Sequence, residues 1–418
     1  MPDMPDVQPS RDVVDTRHSS VNLEDTTLVL SSDAQWHTAQ VNQYPTWFEA
    51  RGYRDFDDFI ERRRLFFDRT ARWNATDGKP TFLTWALVPR SDPGTGNILC
   101  GCETYLRPGV YLPPGSSEPI DCTSYGIACV YTNAAHRGNG YARHMMRLLH
   151  YILAPADTLP PFPLTWGKPP VIPSGMQDAV FSVLYSGVGK EFYAKCTKGE
   201  NEPGWMPEEL IVRQWNVQQP ATEPDLEGWT WLHRDELPAW EQEASHRIRR
   251  DLINKGDKNK TRLAILPDPG CFGVHAVRYE VIPGARPEAA YGLVLPEVDG
   301  ERPFFTYSVK PGARRKPEEL RDSETEPQDS PEAYNAHDRA RLVVMYSTPG
   351  VPWYAVVAAA TREGVNRIEA WQGYGWDEEA GGAVMLPEEN QPCLAVYGVT
   401  DNDVEWEFDE KWVWGRQN

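Results

Sequence analysis

A short segment with two glycines constrains this chain more than any other feature of its sequence. Residues 123–132 form an apolar strand pattern, residues 137–142 read Arg-Gly-Asn-Gly-Tyr-Ala, and residues 141–153 carry apolar side chains at helical spacing. Glycine at 138 and 140 permits a tight turn and lets a ligand approach the backbone without a Cβ clash. We therefore predict that the N–H groups of residues 138–142 point outward at a helix N-terminus, where they favour a phosphate.

Composition and charge limit the possible partners. The chain has 418 residues, of which 40% are apolar, so two packed domains, or one large one, are expected. Its formal charge is −19, which makes nucleic acid an unexpected partner and a cationic small molecule an easier one. Of the 61 acidic residues, 36 follow residue 219, where they either keep the protein soluble or attract a cation.

Cysteine usage and hydropathy indicate a reducing compartment. Seven cysteines are present and no CxxC pair occurs, which argues against a disulfide framework and against a zinc site. Cys100 and Cys102 fall on one face of a predicted strand, where buried free thiols are expected. No apolar run reaches the ~18–20 residues of a membrane span. We expect a cytoplasmic protein without a metal, a membrane partner or a targeting segment.

The chain divides into three parts. Residues 1–20 are polar and predict a flexible tail. Residues 21–215 and the acidic residues 216–418 predict two α/β domains, separated by a Pro- and Trp-rich stretch at 203–224.

Several elements outside the glycine segment are also predicted. A helix from Phe56 to about residue 73 places Arg62, Arg63 and Arg64 on the side opposite its apolar face. In the second half, residues 274–281 are predicted as a strand and residues 311–331 as an exposed loop. Residues 341–372 predict strand, helix and strand, an order that weakly resembles the first half.

The pattern Arg-Gly-x-Gly-x-Ala, with a strand before it and a helix after it, resembles motif A of the GNAT acetyltransferases, which bind acetyl-CoA. The resemblance implies the GNAT fold, with a central mixed, mostly antiparallel sheet flanked by helices, and it leaves room for a second, GNAT-like domain. Ala135 lies three residues before the first glycine, where the family usually has Gln or Arg. The implied contacts are Val130, Tyr131 and Thr132 along pantetheine, and Arg137, Gly138, Asn139, Gly140, Tyr141 and Ala142 around the pyrophosphate.

Residues 184–195 resemble the late strand and short helix of the same family. In many members the tyrosine of that helix protonates the leaving thiolate of CoA, and Tyr193 matches its position. The alternative is that Tyr193 only packs, as Phe192 does. Ser186 stands where the family often has Asn, and it is predicted as a further CoA contact.

The general base is less clearly indicated. The family often places Glu on the strand before the glycine loop, but residues 121–132 contain none. Glu103, on the adjacent strand, is the predicted base because a carboxylate among apolar strand residues is costly unless it is used or paired. A salt bridge is the structural alternative for Glu103. His136 is a second candidate base, although its place beside the phosphate favours a simple loop role.

The whole pattern most resembles the fungal lysine N6-acetyltransferase group, and the motifs that carry the resemblance lie within residues 80–200. That group joins a GNAT domain to a C-terminal domain that helps to cover the acceptor site. The resemblance implies direct transfer, in a ternary complex, of acetyl to the side-chain amine of free lysine. Two alternatives stay open. One is an N-acetyltransferase for a polyamine, an amino sugar, a toxin or a biosynthetic intermediate, and the other is a non-catalytic acyl-CoA-binding interaction protein.

Overall fold

The computed structural model describes most of the chain outside the termini and several loops. The described residues are 20–49, 53–71, 82–189, 191–217, 226–267, 270–281, 288, 290–310, 340–371, 376, 383–385, 390–399 and 403–407. The predicted loop over 311–331, and the predicted tail apart from Ser20, lie outside these residues.

Both halves of the described chain contain helices and strands. The α-helices are α1 (Asp33–Trp47), α2 (Phe56–Ala71), α3 (Tyr141–Leu153), α4 (Glu191–Ala194), α5 (Leu237–Asn254), α6 (Val274–Val281) and α7 (Trp353–Arg362). The strands are β1 (Thr26–Leu30), β2 (Phe82–Pro89), β3 (Cys100–Leu112), β4 (Ile120–Tyr131), β5 (Ala179–Ser186), β6 (Met206–Pro207), β7 (Val212–Asn216), β8 (Thr230–Leu232), β9 (Thr261–Ile265), β10 (Gly292–Val294), β11 (Phe304–Lys310), β12 (Arg341–Ser347), β13 (Arg367–Trp371), β14 (Ala383–Met385), β15 (Gln391–Val396) and β16 (Val404–Trp406).

The first sheet has the strand order β1-β2-β3-β4-β5-β15-β6, and β9 and β16 extend it from the C-terminal part of β3. Along this order only β4 and β5 are parallel. Parallel neighbours need a crossover connection, which α3 provides. Its apolar stripe is fully buried against the sheet because it repeats at helical spacing: Met145, Met146, Leu148, Leu149 and Ile152. The predicted mixed, mostly antiparallel sheet with flanking helices is confirmed.

The second sheet has the strand order β14-β7-β13-β12-β11-β10-β8. It contains one parallel pair, β12 and β13, and the helix α7 connects these two strands. Every other neighbouring pair in this sheet is antiparallel. The strand–helix–strand order predicted over 341–372 is therefore present, and it occupies the same place in its sheet as β4, α3 and β5 occupy in theirs.

The two sheets exchange strands. Strand β7 ends at Asn216, so all but its last residue lie in the first predicted domain, yet it pairs with β13 in the second sheet. Strand β15 comes from the acidic half, yet it pairs with β5 along its whole length, from Gln391 opposite Ser186 to Val396 opposite Phe181. Without β15, β5 would expose unpaired backbone groups along one edge. Each sheet is thus completed by chain from the other half.

The prediction of a strand over 274–281 is wrong, because these residues form the helix α6. The N–H groups ahead of α6 are held by Glu241 of α5: one carboxylate oxygen accepts from Gly270 at 2.6 Å and the other from Phe272 at 2.6 Å. A carboxylate suits the positive end of a helix. The helix also packs against α2, where Arg62 donates to the carbonyl of Val281 at 3.2 Å. Tertiary contacts therefore override the strand preference of its valines.

Candidate active site

The turn before α3 has the backbone that its glycines permit. Gly138 has a φ of +84° and Gly140 a φ of +80°, both in the left-handed region. Gly140 is the N-cap of α3 and provides no side-chain cap. Residues 137–140 are exposed. Because a Cβ is strained at such φ values, this turn depends on glycine at both positions.

Six consecutive N–H groups at the start of α3 have no acceptor. Among the described residues, none accepts a hydrogen bond from the backbone N–H groups of residues 138–143, and the first helical bond joins His144 N to Gly140 O at 3.0 Å. A Cβ placed at Gly138 would meet no atom within 4 Å, so the space beside it is open. Unpaired donors at the positive end of a helix attract an anion. The turn therefore fits a diphosphate such as that of coenzyme A.

Strands β4 and β5 separate just before this turn. They pair from Thr123 opposite Ala179 to Ile127 opposite Leu184, with a register shift after Thr123, and no pairing between the two strands continues beyond Ile127. Strand β4 runs on to Tyr131 and is there bonded to β3 alone. One edge of β4 is thus left open to an extended ligand over its last four residues, next to the anion site.

A β-bulge sits in the separated part of β4. Gly101 of β3 is opposite Tyr131, but Glu103 is opposite Ala128, so β4 has one extra residue there. Cys129 takes up the bulge with a φ of +53°, which a non-glycine residue rarely adopts. Gln43 of α1 donates to the Cys129 carbonyl at 3.4 Å. The bulge was not predicted, because nothing in the sequence distinguishes Cys129 from its neighbours.

The structure places Val130, Tyr131 and Thr132 half-buried beside this separation. The Thr132 hydroxyl donates to the sulfur of Cys100 at 3.2 Å. The Tyr131 ring packs edge-on against Trp47, with 5.2 Å between ring centroids. Since both side chains have protein partners, these residues offer a ligand mainly their backbone.

The side chains of the turn also hold the turn itself. Arg137 donates to the carbonyl of Thr132 at 3.1 Å, and Asn139 donates to the carbonyl of His136 at 3.0 Å. The Tyr141 hydroxyl donates to the carbonyl of Val21 at 3.0 Å and accepts from its N–H at 2.9 Å. The cradle is therefore formed from backbone N–H groups, including that of Ala142. The side chains around it maintain its shape.

His136, the second candidate base, is buried against the ring of Tyr141, with centroids 6.1 Å apart. This packing supports the loop role predicted for it. Ser186 is fully buried at the end of β5. Its hydroxyl donates to the carbonyl of Gly189 at 2.7 Å and accepts from Val188 N at 3.3 Å. Ser186 thus closes the turn that leads into α4, and its hydroxyl is already engaged.

Tyr193 lies on α4 with 8% of its surface exposed, and its ring centroid is 6.5 Å from that of Trp205. Its hydroxyl makes no hydrogen bond to another described residue. Burial raises the pKa of Tyr193, and the nearby thiols of Cys196 and Cys393 raise it further. The phenol therefore keeps its proton at neutral pH, and none of the described residues accepts it in a hydrogen bond.

Glu103 forms a buried ion pair. Only 2% of its surface is exposed, and its Oε1 accepts from Arg63 Nη2 at 2.5 Å. Its Oε2 accepts from the Tyr105 hydroxyl at 2.8 Å, and Arg63 Nε donates to Gln40 at 2.8 Å. Burial alone would lower the pKa of Arg63, but the charge of Glu103, the neighbouring Cys129 and Tyr105 and the hydrogen bond to Glu103 together outweigh it, and the pKa is raised. Arg63 therefore stays charged, and the salt bridge considered for Glu103 is present.

Arg63 was expected on the polar side of α2, and that expectation is wrong. Its guanidinium points to the sheet, and it lies over the rings of Phe48 and Phe67 at 5.1 and 5.0 Å. Three consecutive arginines look like an exposed charged face in a sequence. Only the position of Glu103 on β3, forty residues later, shows that the middle one is drawn inward.

Glu103 and Tyr193 face opposite sides of the first sheet. Side chains alternate along a strand, so Cys100 and Cys102 point away from Glu103. Both cysteines are buried free thiols, as predicted, in the same apolar cluster as Tyr193 and α3. Glu103 instead meets Arg63 of α2. The first sheet therefore has the Tyr193 phenol on one face and the Glu103 carboxylate on the other.

Two further observations concern all of the described residues: one is about metal binding and the other about membrane-spanning helices. Within the described ranges, no group of three or more His, Cys, Asp or Glu side chains could hold a metal ion. No helix among those residues is both long and apolar enough to cross a membrane.

Comparison with known proteins shows only distant similarity. No family model matches the sequence, and no curated protein matches it. A conserved protein of unknown function from Enterococcus faecalis V583, described as a probable N-acyltransferase, matches over 89% of this chain and 73% of its own, with 8% identity and a TM-score of 0.48. GCN5-related N-acetyltransferases from Anabaena variabilis and Kribbella flavida match over the same 89%, with 10% identity each. They are covered over 72% and 71%, with TM-scores of 0.47 and 0.44. Scores below 0.5 do not establish a shared fold, so the function has to be inferred from the geometry of this chain.

Proposed function

We propose that this chain is an acetyl-CoA-dependent N-acetyltransferase of the GNAT type that acts on a small primary amine. The observation that carries the proposal is the row of six N–H groups over residues 138–143 from which no described residue accepts a hydrogen bond, beside the point where β4 and β5 separate. A helix start of this kind binds a diphosphate. The open edge of β4 beyond Ile127 can pair with an extended chain, as pantetheine is.

The contacts with acetyl-CoA are made mostly by backbone. The strand residues Val130, Tyr131 and Thr132 lie along the pantetheine, and Gly138 to Ala142 surround the pyrophosphate. Arg137 and Asn139 hold the turn in place, and Ser186 fixes the turn before α4. A cradle of this type binds through the helix dipole and N–H donors.

Transfer needs one base and one acid, which we assign to Glu103 and Tyr193. The lone pair of the amine attacks the thioester carbonyl, so that the C–N bond forms and the C–S bond breaks. Glu103, directly or through a water molecule, takes the proton that the amine loses, and Tyr193 gives its proton to the departing thiolate. N–H groups of β4 stabilise the charge that develops on the carbonyl oxygen.

Free lysine is our proposed acceptor, through its side-chain amine. The net charge of −19 supports a cationic acceptor. The contact between α6 and α2 supports a role for the acidic half in covering that face. An acetyl-CoA consumption screen over amino acids, polyamines and amino sugars tests this proposal, with the product located by mass spectrometry. We expect turnover with lysine and acetylation of its side-chain amine.

The screen separates the alternatives. Turnover of another amine without turnover of lysine would keep the enzyme class and remove lysine as the acceptor. Binding of CoA by calorimetry without CoA release for any amine would instead support a non-catalytic acyl-CoA-binding protein. The engagement of both Glu103 oxygens by Arg63 and Tyr105 is the observation that favours this second function.

Glu103→Gln is expected to impair both chemistry and stability. Loss of the base should lower kcat about 100-fold. Arg63 would keep its charge without a partner, so the free energy of unfolding should fall by about 3–5 kcal/mol. Steady-state kinetics and urea denaturation measure the two effects separately.

A double variant distinguishes a base from a structural ion pair. Arg63→Met combined with Glu103→Leu removes both charges, and most of the stability should return because no buried charge is left unpaired. Turnover should stay low if Glu103 is the base. Recovery of turnover in the double variant would show that Glu103 is only structural.

A further inference from the structure

A buried chain of hydrogen bonds surrounds the segment that carries Tyr193. Trp205 Nε1 lies 2.9 Å from Ser182 Oγ, which lies 2.9 Å from the hydroxyl of Tyr397. That hydroxyl lies 3.0 Å from His150 Nδ1, and His150 Nε2 lies 3.0 Å from the carbonyl of Cys196. Trp205, Ser182, Tyr397 and His150, here called the Tyr397 network, are all buried.

The direction of every bond in the Tyr397 network follows from its two ends. A carbonyl can only accept, so His150 Nε2 donates to Cys196. Burial lowers the pKa of His150 to about 3, so the ring is neutral and its Nδ1 accepts from Tyr397. The Tyr397 oxygen then accepts from Ser182, whose oxygen accepts from the indole of Trp205, a group that only donates. Each hydroxyl both donates and accepts, so the network is fully satisfied along its length.

Both ends of the network meet at Tyr193. The backbone N–H of Cys196 donates to the Tyr193 carbonyl at 3.1 Å, and the N–H of Trp205 donates to the same carbonyl at 3.1 Å. The His150 ring stacks on the Trp205 ring with 3.8 Å between centroids. The network therefore connects Cys196 to Trp205, the two residues whose backbone N–H groups donate to the Tyr193 carbonyl.

Tyr397 connects this arrangement to the other half of the chain. It follows β15, and its N–H donates to the carbonyl of Val180 on β5 at 2.9 Å. His150 belongs to α3, which begins at the anion cradle. The hydroxyl of Tyr397 thus joins a helix that starts at the cradle to the residues that hold the proton donor.

We infer that Tyr397, supplied by the acidic half, is a positioning residue that holds the Tyr193 phenol in place for transfer. The inference rests on the proposed function, because it assumes that Tyr193 is the proton donor. Tyr397 touches neither the reacting atoms nor a ligand in this role. It acts through His150 and Ser182 on the two residues that bind the Tyr193 carbonyl.

Tyr397→Phe tests the inference, because it removes the hydroxyl that joins Ser182 to His150 in the network. We expect kcat to fall about tenfold, with the KM for acetyl-CoA unchanged. Tyr307→Phe is the matched control: Tyr307 is equally buried, and its hydroxyl donates to Glu363 at 2.9 Å in the second sheet. The Tyr307→Phe variant should lose about as much thermal stability as Tyr397→Phe, and its kcat should be unchanged. An equal fall in kcat for both variants would overturn the inference.

A double variant supplies a readout that general destabilisation would not produce. If Tyr397 acts through Tyr193, then Tyr397→Phe should have no further effect on kcat in a Tyr193→Phe background. An additive effect would overturn the inference. If Tyr193→Phe alone leaves kcat unchanged, the proposed acid is wrong, which is a separate failure.

Hydrogen exchange tests the positioning without any turnover. Mass spectrometry of the peptides over 193–205 should show faster exchange at Cys196 and Trp205 in Tyr397→Phe than in the unaltered protein or in Tyr307→Phe. Unchanged exchange in those peptides would overturn the inference, whatever the acceptor proves to be.

Discussion

Replacing Gly138 with aspartate is expected to weaken acetyl-CoA binding about 100-fold, which corresponds to about 2.7 kcal/mol. The new carboxylate would stand among six free N–H groups, where it would compete for them and repel the diphosphate. A φ of +84° would also strain any residue that carries a Cβ. Isothermal titration calorimetry with acetyl-CoA measures the dissociation constant directly.

Gly175→Asp is the matched control for this variant. Gly175 has a φ of +83° and no atom within 4 Å of an added Cβ, so the backbone strain and the added charge are the same. It lies beyond the opposite end of α3, where Gln177 N donates to the carbonyl of Ile152 at 3.1 Å. The acetyl-CoA affinity of Gly175→Asp should therefore equal that of the unaltered protein. Similar affinities for Gly138→Asp and Gly175→Asp would remove the anion cradle from the proposal.

Tyr193→Phe is expected to lower kcat about 100-fold while acetyl-CoA affinity stays the same, because the ring still packs but the departing thiolate loses its proton donor. A general acid fails when pH rises through its pKa. Since burial raises the pKa of Tyr193, ionisation of this phenol should cause no loss of turnover below about pH 10. Steady-state kinetics over a range of pH, together with calorimetry, measure both effects.

Tyr151→Phe serves as the control for the loss of a tyrosine hydroxyl. Tyr151 lies near the C-terminal end of α3, and its hydroxyl donates to the carbonyl of Pro160 at 3.0 Å, away from the cradle. Its removal should leave kcat unchanged. If Tyr193→Phe turns over as fast as Tyr151→Phe, Tyr193 only packs and another group must protonate the thiolate.

The glycine turn and α3 could be predicted closely from the sequence, because every interaction that forms them is local. The helix begins and ends at the predicted residues, Tyr141 and Leu153, and its apolar stripe is the buried one. The positive φ values of Gly138 and Gly140 likewise depend only on the absence of a Cβ.

The surroundings of Glu103 could be predicted only in part. The sequence showed that burying the Glu103 carboxylate among apolar residues would cost free energy. It therefore indicated that Glu103 is either a base or a member of an ion pair. The identity of its partner was not visible, because Arg63 lies in a run of three arginines and reaches Glu103 only when α2 packs on the sheet. The helix α6 was missed for a related reason, since its start is held by Glu241 from another element.

The amino-acid sequence by itself determined the local structures: where the chain turns, which helix follows the turn, and which backbone groups that helix leaves free. Only the tertiary structure decided which strands complete each sheet and which residues surround Tyr193. Strand β15 pairs with β5 across about two hundred residues of chain, and Tyr397 meets His150 over a similar distance. Strand pairing depends on backbone groups that all residues share, so the sequence of one strand does not identify the strand that pairs with it.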